Sequence, residues 1–299
     1  MPSNRVRVGT RGSILAMWQA RWVTERLIRE MPDCSVEIVK IRTRGDQHQD
    51  LTSLPGMGHF TSELETALVE ERIDIAVHSL KDLPVEDSPG VTVAAVPLRN
   101  DSSDSLVSAN GVPLMSLGRG ARVGTGSARR ASLLRSHRPD LDVVEIRGNV
   151  ETRIRKVDEG MYDAVVLATA GLVRLGLQDR ISERLGVHEF PPAPGQGALA
   201  VQMRDGESEL HRVVRGLDDL NARATSGAER AFLRGLGGGC TLPVGAHAWR
   251  ESGKLKLLGF VGSNNGESAL RAEVMGEDPE ALGKRLAEQL LSVGARDLL

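Results

Sequence analysis

The stretch Arg5-Val6-Arg7-Val8-Gly9-Thr10-Arg11-Gly12-Ser13 opens the pattern that decides the fold. Its first four residues are typical of a short strand, and the Gly-Thr-Arg-Gly-Ser segment after them is typical of a turn. The apolar residues that follow recur at helical spacing, at Leu15, Trp18, Trp22, Val23, Leu27 and Ile28. The stretch therefore predicts a strand, a turn and a helix in that order.

Two more strands and one more helix extend this beginning into a βαβαβ unit. We predict a strand at Ser35–Ile41, a helix at Gly58–Glu71 and a strand at Ile73–Val77. Strands joined through helices run parallel, with right-handed crossovers. The pattern therefore predicts an α/β lobe built on a parallel sheet.

The same pattern returns in the middle of the chain, where Ala121-Arg122-Val123-Gly124-Thr125-Gly126-Ser127 repeats the strand, the Gly-Thr turn and the serine. The further predicted elements are a helix at 128–136, a strand at 143–146, a helix at 150–158 and a strand at 164–167. Two linkers are predicted, the polar stretch 99–105 and the proline-rich stretch 190–195. A strand at 198–203 would then return to the first lobe, so that this lobe is discontinuous in sequence.

From about Asn221 the pattern changes to a helix, a glycine-rich loop and alternating strands. The strands are predicted around 244–249, 255–261 and 269–274, and a helix at 280–293 closes the chain. The predicted fold is two related doubly wound α/β lobes followed by a small C-terminal α+β domain with an antiparallel sheet. The predicted boundaries are 1–98 with 198–216 for lobe one, 104–190 for lobe two and 220–299 for the C-terminal domain.

Composition excludes several classes of function. The 299 residues are 40% hydrophobic and 26% charged, and the 38 basic and 40 acidic residues leave a net charge of −2. No overall field therefore points to nucleic acid or to a membrane surface. Two distant cysteines and the absence of an apolar leader predict a reducing, cytoplasmic setting. The histidines and cysteines lack the spacing of metal ligands, so no metal is expected.

A glycine-dense loop, Arg234-Gly235-Leu236-Gly237-Gly238-Gly239-Cys240-Thr241-Leu242-Pro243-Val244-Gly245, follows a predicted helix at 222–233 and presents a cysteine. Glycine reaches positive φ without steric cost, so the backbone can turn sharply or pass close to a large ligand. Taken alone, the loop leaves two interpretations open. Cys240 is either a small buried apolar side chain or a thiol placed for chemistry.

Basic side chains follow several predicted strands. Ligands of open α/β sheets bind beyond the carboxyl ends of the strands, and helix N-termini there attract anions. Each arginine taken singly could be an ordinary solvated side chain, but their number predicts a cleft for a polyanion. Lys81 and Asp82 close a strand at the same edge, and a carboxylate in such a cleft could stabilise a cation or move a proton. The arginines are Arg11, Arg129, Arg130, Arg147, Arg153, Arg155 and Arg174.

Seven ordered motifs resemble the porphobilinogen deaminase (hydroxymethylbilane synthase) family over nearly the whole chain. They are Val8-Gly9-Thr10-Arg11-Gly12-Ser13, Val77-His78-Ser79-Leu80-Lys81-Asp82-Leu83-Pro84, Val123-Gly124-Thr125-Gly126-Ser127-Ala128-Arg129-Arg130, Arg147-Gly148-Asn149-Val150-Glu151-Thr152-Arg153, Ala168-Thr169-Ala170-Gly171-Leu172-Val173-Arg174-Leu175-Gly176, Pro194-Gly195-Gln196-Gly197-Ala198 and Gly237-Gly238-Gly239-Cys240-Thr241-Leu242-Pro243-Val244-Gly245.

The resemblance implies a transferase of tetrapyrrole biosynthesis. Such an enzyme joins four porphobilinogen molecules head to tail, releases ammonia each time and frees hydroxymethylbilane by hydrolysis. Growth starts on a dipyrromethane cofactor held by a thioether, which the matching motif places on Cys240. The resemblance also implies a monomer without metal, nucleic acid or membrane partners, and leaves open a transient contact with uroporphyrinogen-III synthase.

The resemblance further implies roles for individual residues. Asp82 would be the catalytic carboxylate, and Lys81, Arg11 and Arg147 would be the other catalytic residues. The implied cofactor contacts are Ser13, Lys81, Asp82, Thr125, Ser127, Arg129, Arg130, Arg147 and Gly148, and the implied substrate contacts are Arg11, Ser13, Arg147, Arg153, Arg174, Phe60 and Gln196.

One loop departs from the family pattern, since Met57 and His59 replace a usual lysine and leucine while Phe60 is kept. Without that lysine, the resemblance does not imply a basic contact from this loop to the growing chain, and the chemistry that it implies is the same. The alternative function is a two-lobed anion-binding protein, because paired α/β lobes also resemble type II periplasmic binding proteins. Such a receptor needs neither the Cys240 loop nor a third domain.

Overall fold

The computed structural model describes residues 5–41, 62–86, 88–239 and 242–299. The chain divides into two compact units, the first formed by 1–99 with 198–223 and the second by 100–197 with 224–299. The three-domain division stays a prediction.

The first unit contains a five-stranded mixed sheet, whose strand order is β2-β1-β3-β10-β4. β1 runs parallel to β2 and β3, whereas β10 runs antiparallel to β3 and β4. The predicted return of the chain after residue 197 is therefore confirmed, but the lobe is not all parallel, because the returning strand enters from the opposite end. The strands are β1 (Arg5–Thr10), β2 (Ser35–Lys40), β3 (Ile75–Ser79), β4 (Val91–Ala95) and β10 (Leu199–Arg204).

Helices cover both faces of this sheet. One apolar cluster joins the sheet to Ala20, Val23 and Leu27 of the first helix. A second cluster joins it to Leu64, Ala67 and Leu68 of the next described helix. Both faces are thus covered by apolar packing, although two polar side chains, His78 of β3 and Gln202 of β10, are also buried. The helices are α1 (Ile14–Glu30), α2 (Ser62–Val69) and α6 (Glu209–Arg215).

The second unit repeats the arrangement with the strand order β7-β6-β8-β5-β9. β6 runs parallel to β7 and β8, and β5 runs antiparallel to β8 and β9. Its elements are β5 (Asp104–Ser108), β6 (Arg122–Gly124), α3 (Ala128–His137), β7 (Asp142–Val144), α4 (Val150–Asp158), β8 (Ala164–Ala168), α5 (Thr169–Arg174) and β9 (Glu183–Leu185). The predicted kinship of the two lobes is confirmed by this shared topology.

The predicted polar linker 99–105 is wrong at its end, because β5 already begins at Asp104. All five residues of this strand are buried, although three of them are polar. The polar residues of this strand therefore prevent its prediction from hydropathy. One of them, Asp104, is buried together with two arginines that pair with it.

An antiparallel three-stranded sheet, ordered β11-β12-β13, completes the second unit. Phe232 and Leu286 lie on either side of Gly259, where a Cβ atom would stand 2.8 Å from both side chains. Helix and sheet thus pack closely, and the predicted α+β character is confirmed. The elements are α7 (Leu220–Gly235), β11 (Val244–Glu251), β12 (Lys254–Gly262), β13 (Ala269–Gly276) and α8 (Pro279–Ser292). Within the described ranges, no helix is both long enough and apolar enough to traverse a bilayer.

Candidate active site

The first group of predicted site residues lies where β1 and β3 end. The two strands are parallel neighbours, so their carboxyl ends meet at one edge of the sheet. A small pocket there is lined by the polar residues Arg11, Ser13, Gln19, His78, Ser79 and Asp82, together with the apolar residues Leu15, Ala16 and Val77. The structure therefore brings Arg11 and Ser13 of the first motif together with Asp82 of the second, whereas Lys81 is not among the lining residues.

Ser13 begins helix α1 as its N-cap. The backbone N–H of Ala16 donates to Ser13 Oγ at 3.2 Å, and the hydroxyl of Thr10 donates to the carbonyl oxygen of Ala16 at 3.0 Å. These contacts tie the turn to the first turn of the helix and leave Ser13 half-buried beside Arg11. The cap explains why a serine stands in this turn whether or not it also meets a ligand.

Lys81 and Asp82 lie in a short 3-10 turn, Leu80–Asp82, that directly follows β3. Leu80 and Leu83 on either side of them are 2% and 3% exposed, and the Leu80 N–H donates to the Ala198 carbonyl at 3.0 Å. The buried leucines hold the turn against the sheet. Asp82 is consequently exposed at the pocket, and its neighbour Lys81 is half-buried.

His78, one residue before Ser79, is a group to which sequence reasoning assigned no role. It is 5% exposed, and its Nε2 has no hydrogen-bond partner among the residues that the structure describes. Burial lowers the pKa of His78 to about 4, with Gln202 opposing the shift and positive Arg11 adding to it. The imidazole is therefore neutral at ordinary pH.

In the second unit, the turn after β6 carries Thr125 and Ser127. The Ser127 N–H donates to Thr125 Oγ1 at 3.2 Å, and the N–H of Arg130 donates to Ser127 Oγ at 3.5 Å. Ser127 is thus the N-cap of α3, as Ser13 is of α1. A Cβ atom on Gly126 would stand 3.2 Å from the carbonyl oxygen of Ile146, so the turn passes tightly beside the next strand end.

Arg129 and Arg130 stand in the first turn of α3 and are 2% and 6% exposed. Both pair with Asp104, which is fully buried. Burial alone would raise the pKa of Asp104, but the two guanidinium groups hold it well below its usual range. This buried carboxylate was absent from the sequence prediction, which had placed it in a linker.

Gln196 belongs to the same buried network. Its Nε2 donates to Asp104 Oδ1 at 2.8 Å and to the Ser102 carbonyl oxygen at 2.8 Å. At 1% exposure its side chain is enclosed by protein, and its role as a substrate contact stays a prediction.

Arg147, Gly148 and Arg153 lie between β7 and α4. Arg147 is exposed, and its Nε donates to Glu145 at 2.8 Å. Gly148 adopts φ +119°, and a Cβ atom there would stand 2.8 Å from Thr152 Cγ2. Arg153 Nε donates to the Gly148 carbonyl oxygen at 2.7 Å, and burial together with positive Arg130 lowers the pKa of Arg153. The glycine is therefore required by the backbone that holds Arg153.

Arg174 lies at the end of α5 and is 6% exposed. Its guanidinium donates to Asn100 Oδ1 at 2.9 and 3.2 Å and to the Gly197 carbonyl oxygen at 2.7 Å. Burial lowers its pKa to about 10. These contacts connect Arg174 to the chain around residues 100 and 197, and its role as a substrate contact stays a prediction.

The cysteine loop begins where α7 ends. Gly237, Gly238 and Gly239 all adopt positive φ, at 97°, 71° and 126°. Three successive residues of this kind explain the triple glycine, since other residues would be strained there. Cys240 itself lies outside the described residues, as do Met57, His59 and Phe60, so their predicted roles stay predictions.

Two sequence profiles together match most of the chain. "Porphobilinogen deaminase, dipyromethane cofactor binding domain" matches residues 6–212, and "Porphobilinogen deaminase, C-terminal domain" matches residues 224–292.

Curated relatives carry the same name. The porphobilinogen deaminase of Pelotomaculum thermopropionicum is 46% identical over 98% of this chain and 96% of its own length. That of Stenotrophomonas maltophilia is 47% identical over 98% of both chains. Among solved structures, the periplasmic VFT2 domain of Bordetella pertussis BvgS is 19% identical, with a TM-score of 0.43 over 71% of this chain and 86% of that one. From the two profiles and the near full-length relatives, it follows that the chain belongs to the porphobilinogen deaminase family.

Proposed function

We propose that this chain condenses four porphobilinogen molecules head to tail, releasing ammonia at each step, and then releases the linear tetrapyrrole hydroxymethylbilane by hydrolysis. The observation that carries the proposal is the match to both family profiles, supported by relatives of that name at 46–47% identity over 98% of the chain. The exposed carboxylate of Asp82, held beside Arg11 and Ser13, supplies a site of the right chemistry.

Asp82 is the residue we assign to the chemical step. When ammonia leaves porphobilinogen, positive charge develops on the pyrrole, whose N–H is a hydrogen-bond donor. A fixed carboxylate accepts that hydrogen bond and stabilises the charge as it develops. The turn that carries Asp82 is held by buried Leu80 and Leu83, so its carboxylate needs little reorganisation during the reaction.

The basic residues of the two units would bind the acetate and propionate groups of the pyrroles. Lys81 and Arg11 serve this role in the first unit, and Arg147 and Arg153 in the second. Arginine grips carboxylates through paired N–H groups, and burial strengthens such contacts because water competes less. Arg153 fits this role because its charge lies near that of Arg130, and an anionic ligand would relieve the repulsion between the two cations.

A dipyrromethane cofactor fits the chemistry of these residues. Its carboxylates would meet Ser13, Lys81, Thr125, Ser127, Arg129, Arg130, Arg147 and Gly148, a set dominated by cations, hydroxyls and helix N-termini. In the second unit two buried guanidinium groups share one carboxylate, Asp104, so positive charge remains for an anionic ligand. When bound, the group supplies the primer on which the chain of pyrroles grows, and Cys240 would tether it through a thioether.

The proposal also includes a monomeric state, a cytoplasmic location and a transient contact with uroporphyrinogen-III synthase. The two widely separated cysteines support the cytoplasmic location. The family resemblance supports the monomeric state and the contact.

Product and ammonia measured together test the proposed reaction. Purified protein incubated with porphobilinogen is expected to release four ammonia molecules for each hydroxymethylbilane. The product closes spontaneously to a porphyrinogen, and oxidation then converts it to a coloured porphyrin that can be measured. Binding of porphobilinogen without release of ammonia would contradict the proposal and would favour an anion-binding protein instead.

A further inference from the structure

Asp104 is a buried carboxylate that lies outside all seven sequence motifs and takes no part in the proposed chemical step. It lies at the first position of β5 and is completely excluded from solvent. Arg129 Nη1 donates to its Oδ2 at 2.7 Å, and Arg130 donates to its Oδ1 through Nη2 at 2.6 Å and through Nε at 3.0 Å. Gln196 adds a fourth hydrogen bond at 2.8 Å. Within the described part of the chain, each side chain that donates to this carboxylate thus belongs to one of the family motifs.

The two arginines occupy a position that a helix ordinarily disfavours for cations. They stand in the first turn of α3, where the helix dipole is positive and where acidic residues are the usual choice. Burial lowers the pKa of Arg129, Asp104 opposes that shift and positive Arg130 adds to it. Without an anion between them, the two guanidinium groups would repel each other and the helix end.

Stability alone is a weak reason for such a cluster. The attraction within a buried ion pair offsets little more than the free energy lost when its charges are desolvated. Apolar side chains of similar volume stabilise a core equally well or better. A cluster that breaks a local rule in this way is expected at a functional site. The geometry, moreover, is specific, because Arg130 is held at both Nε and Nη2 while its Nη1 donates to the Val166 carbonyl oxygen at 3.0 Å.

We propose that Asp104 is a positioning residue, which fixes the orientation and the net charge of the Arg129–Arg130 pair so that this pair can hold carboxylates of the cofactor and the growing chain. The inference rests on the proposed function. Asp104 does not touch the reacting atoms and acts only through the two arginines. One of the two positive charges is cancelled by Asp104, and the other remains for the ligand.

The test removes the carboxylate and then returns it from solution. Asp104→Ala leaves room for a small carboxylate, and formate is the probe. Because a shift of about 1 Å in a positioning group can cost about 100-fold in rate, we expect turnover of porphobilinogen to fall by about that factor. Formate should then restore a large part of the loss in this variant while leaving the wild type unchanged. Asp101→Ala is the matched control, since its carboxylate lies three residues away and pairs with exposed Arg184.

The outcomes separate the inference from the proposed function. Turnover by the wild type tests the proposed function, whereas the variants test only Asp104. A folded Asp104→Ala protein that turns over as fast as the wild type would overturn the inference, and so would a slow, folded one that formate fails to accelerate. If Asp104→Ala does not fold, the isosteric Asp104→Asn is measured well below its melting temperature. There a turnover about 100-fold lower supports the inference, and an unchanged one overturns it.

Discussion

The buried imidazole of His78 is expected to make the free energy of unfolding depend on pH by an amount that follows from its pKa. His78 is 5% exposed, and burial lowers its pKa from 6.5 to about 4. In the unfolded chain the same imidazole regains its ordinary pKa. Between these two values the unfolded state binds a proton that the folded state refuses, so acid favours unfolding.

The size of the effect follows from that difference of pKa. The stabilisation is fully present above the unfolded pKa and is lost progressively as pH falls from about 6.5 to about 4. Between about pH 7 and about pH 5, linkage predicts that this single group costs the folded state about 2 kcal/mol. Replacement by glutamine removes the proton-binding site from both states, so the variant should lack this part of the pH dependence.

Two measurements check the prediction. Denaturant unfolding of the wild type and of His78→Gln at about pH 7 and about pH 5 should show that the wild type loses about 2 kcal/mol more than the variant. In NMR spectra of the imidazole protons, the signal that is missing from His78→Gln should stay at its neutral shift when the pH of the wild type is lowered to about 5.

A clear result would refute the reasoning. If the difference in unfolding free energy between wild type and variant does not change with pH, His78 has the same pKa in both states. A missing signal that titrates near pH 6.5 would lead to the same conclusion, and the imidazole would then not be desolvated as the structure has it.

Two further predictions concern the candidate site. Asp82→Asn should lower turnover by about 100-fold or more, because the carboxylate that stabilises the developing charge is lost. The control Asp205→Asn, at an exposed position of the same unit, should leave the rate unchanged. Equal rates for both variants would contradict the role given to Asp82. Gly148→Ala should lower the melting temperature, because positive φ strains the alanine by about 1–3 kcal/mol and its Cβ would stand 2.8 Å from Thr152 Cγ2. Gly118→Ala, whose Cβ position has no described atom within 4 Å, should melt like the wild type, and an equal change in both proteins would contradict the steric account.

The repeated strand–turn–helix pattern was sufficient to predict the three parallel strands of each lobe, but not β4, β5 or β9. Helix α4 begins at Val150 and ends at Asp158, as the apolar spacing predicts. Such elements are predictable because each depends on residues close to one another in the chain. The return of β10 to the first sheet was also predictable, since a strand pattern follows a proline-rich stretch directly.

The elements that sequence reasoning missed depend on partners far away in the chain. Asp104 and the two serines of β5 have the polar composition of a linker. Only the fold shows that Arg129 and Arg130 pair with Asp104 and so allow its burial. The burial of His78 depends likewise on strands on both sides of β3, one of which lies more than a hundred residues further on. A signal did exist for Asp104, namely two adjacent arginines at a helix N-terminus, which call for an anion nearby.

The central claim is that the sulfur of Cys240 carries a primer built from the substrate. Intact-mass spectrometry of the purified protein tests it directly, with the chain's other cysteine, half-buried Cys34, as the matched control. The account predicts a mass above that of the bare chain by two linked pyrrole units in the wild type and in Cys34→Ala, and the bare mass in Cys240→Ala. An active wild-type protein at its bare mass, or an adduct that survives in Cys240→Ala, would contradict the account.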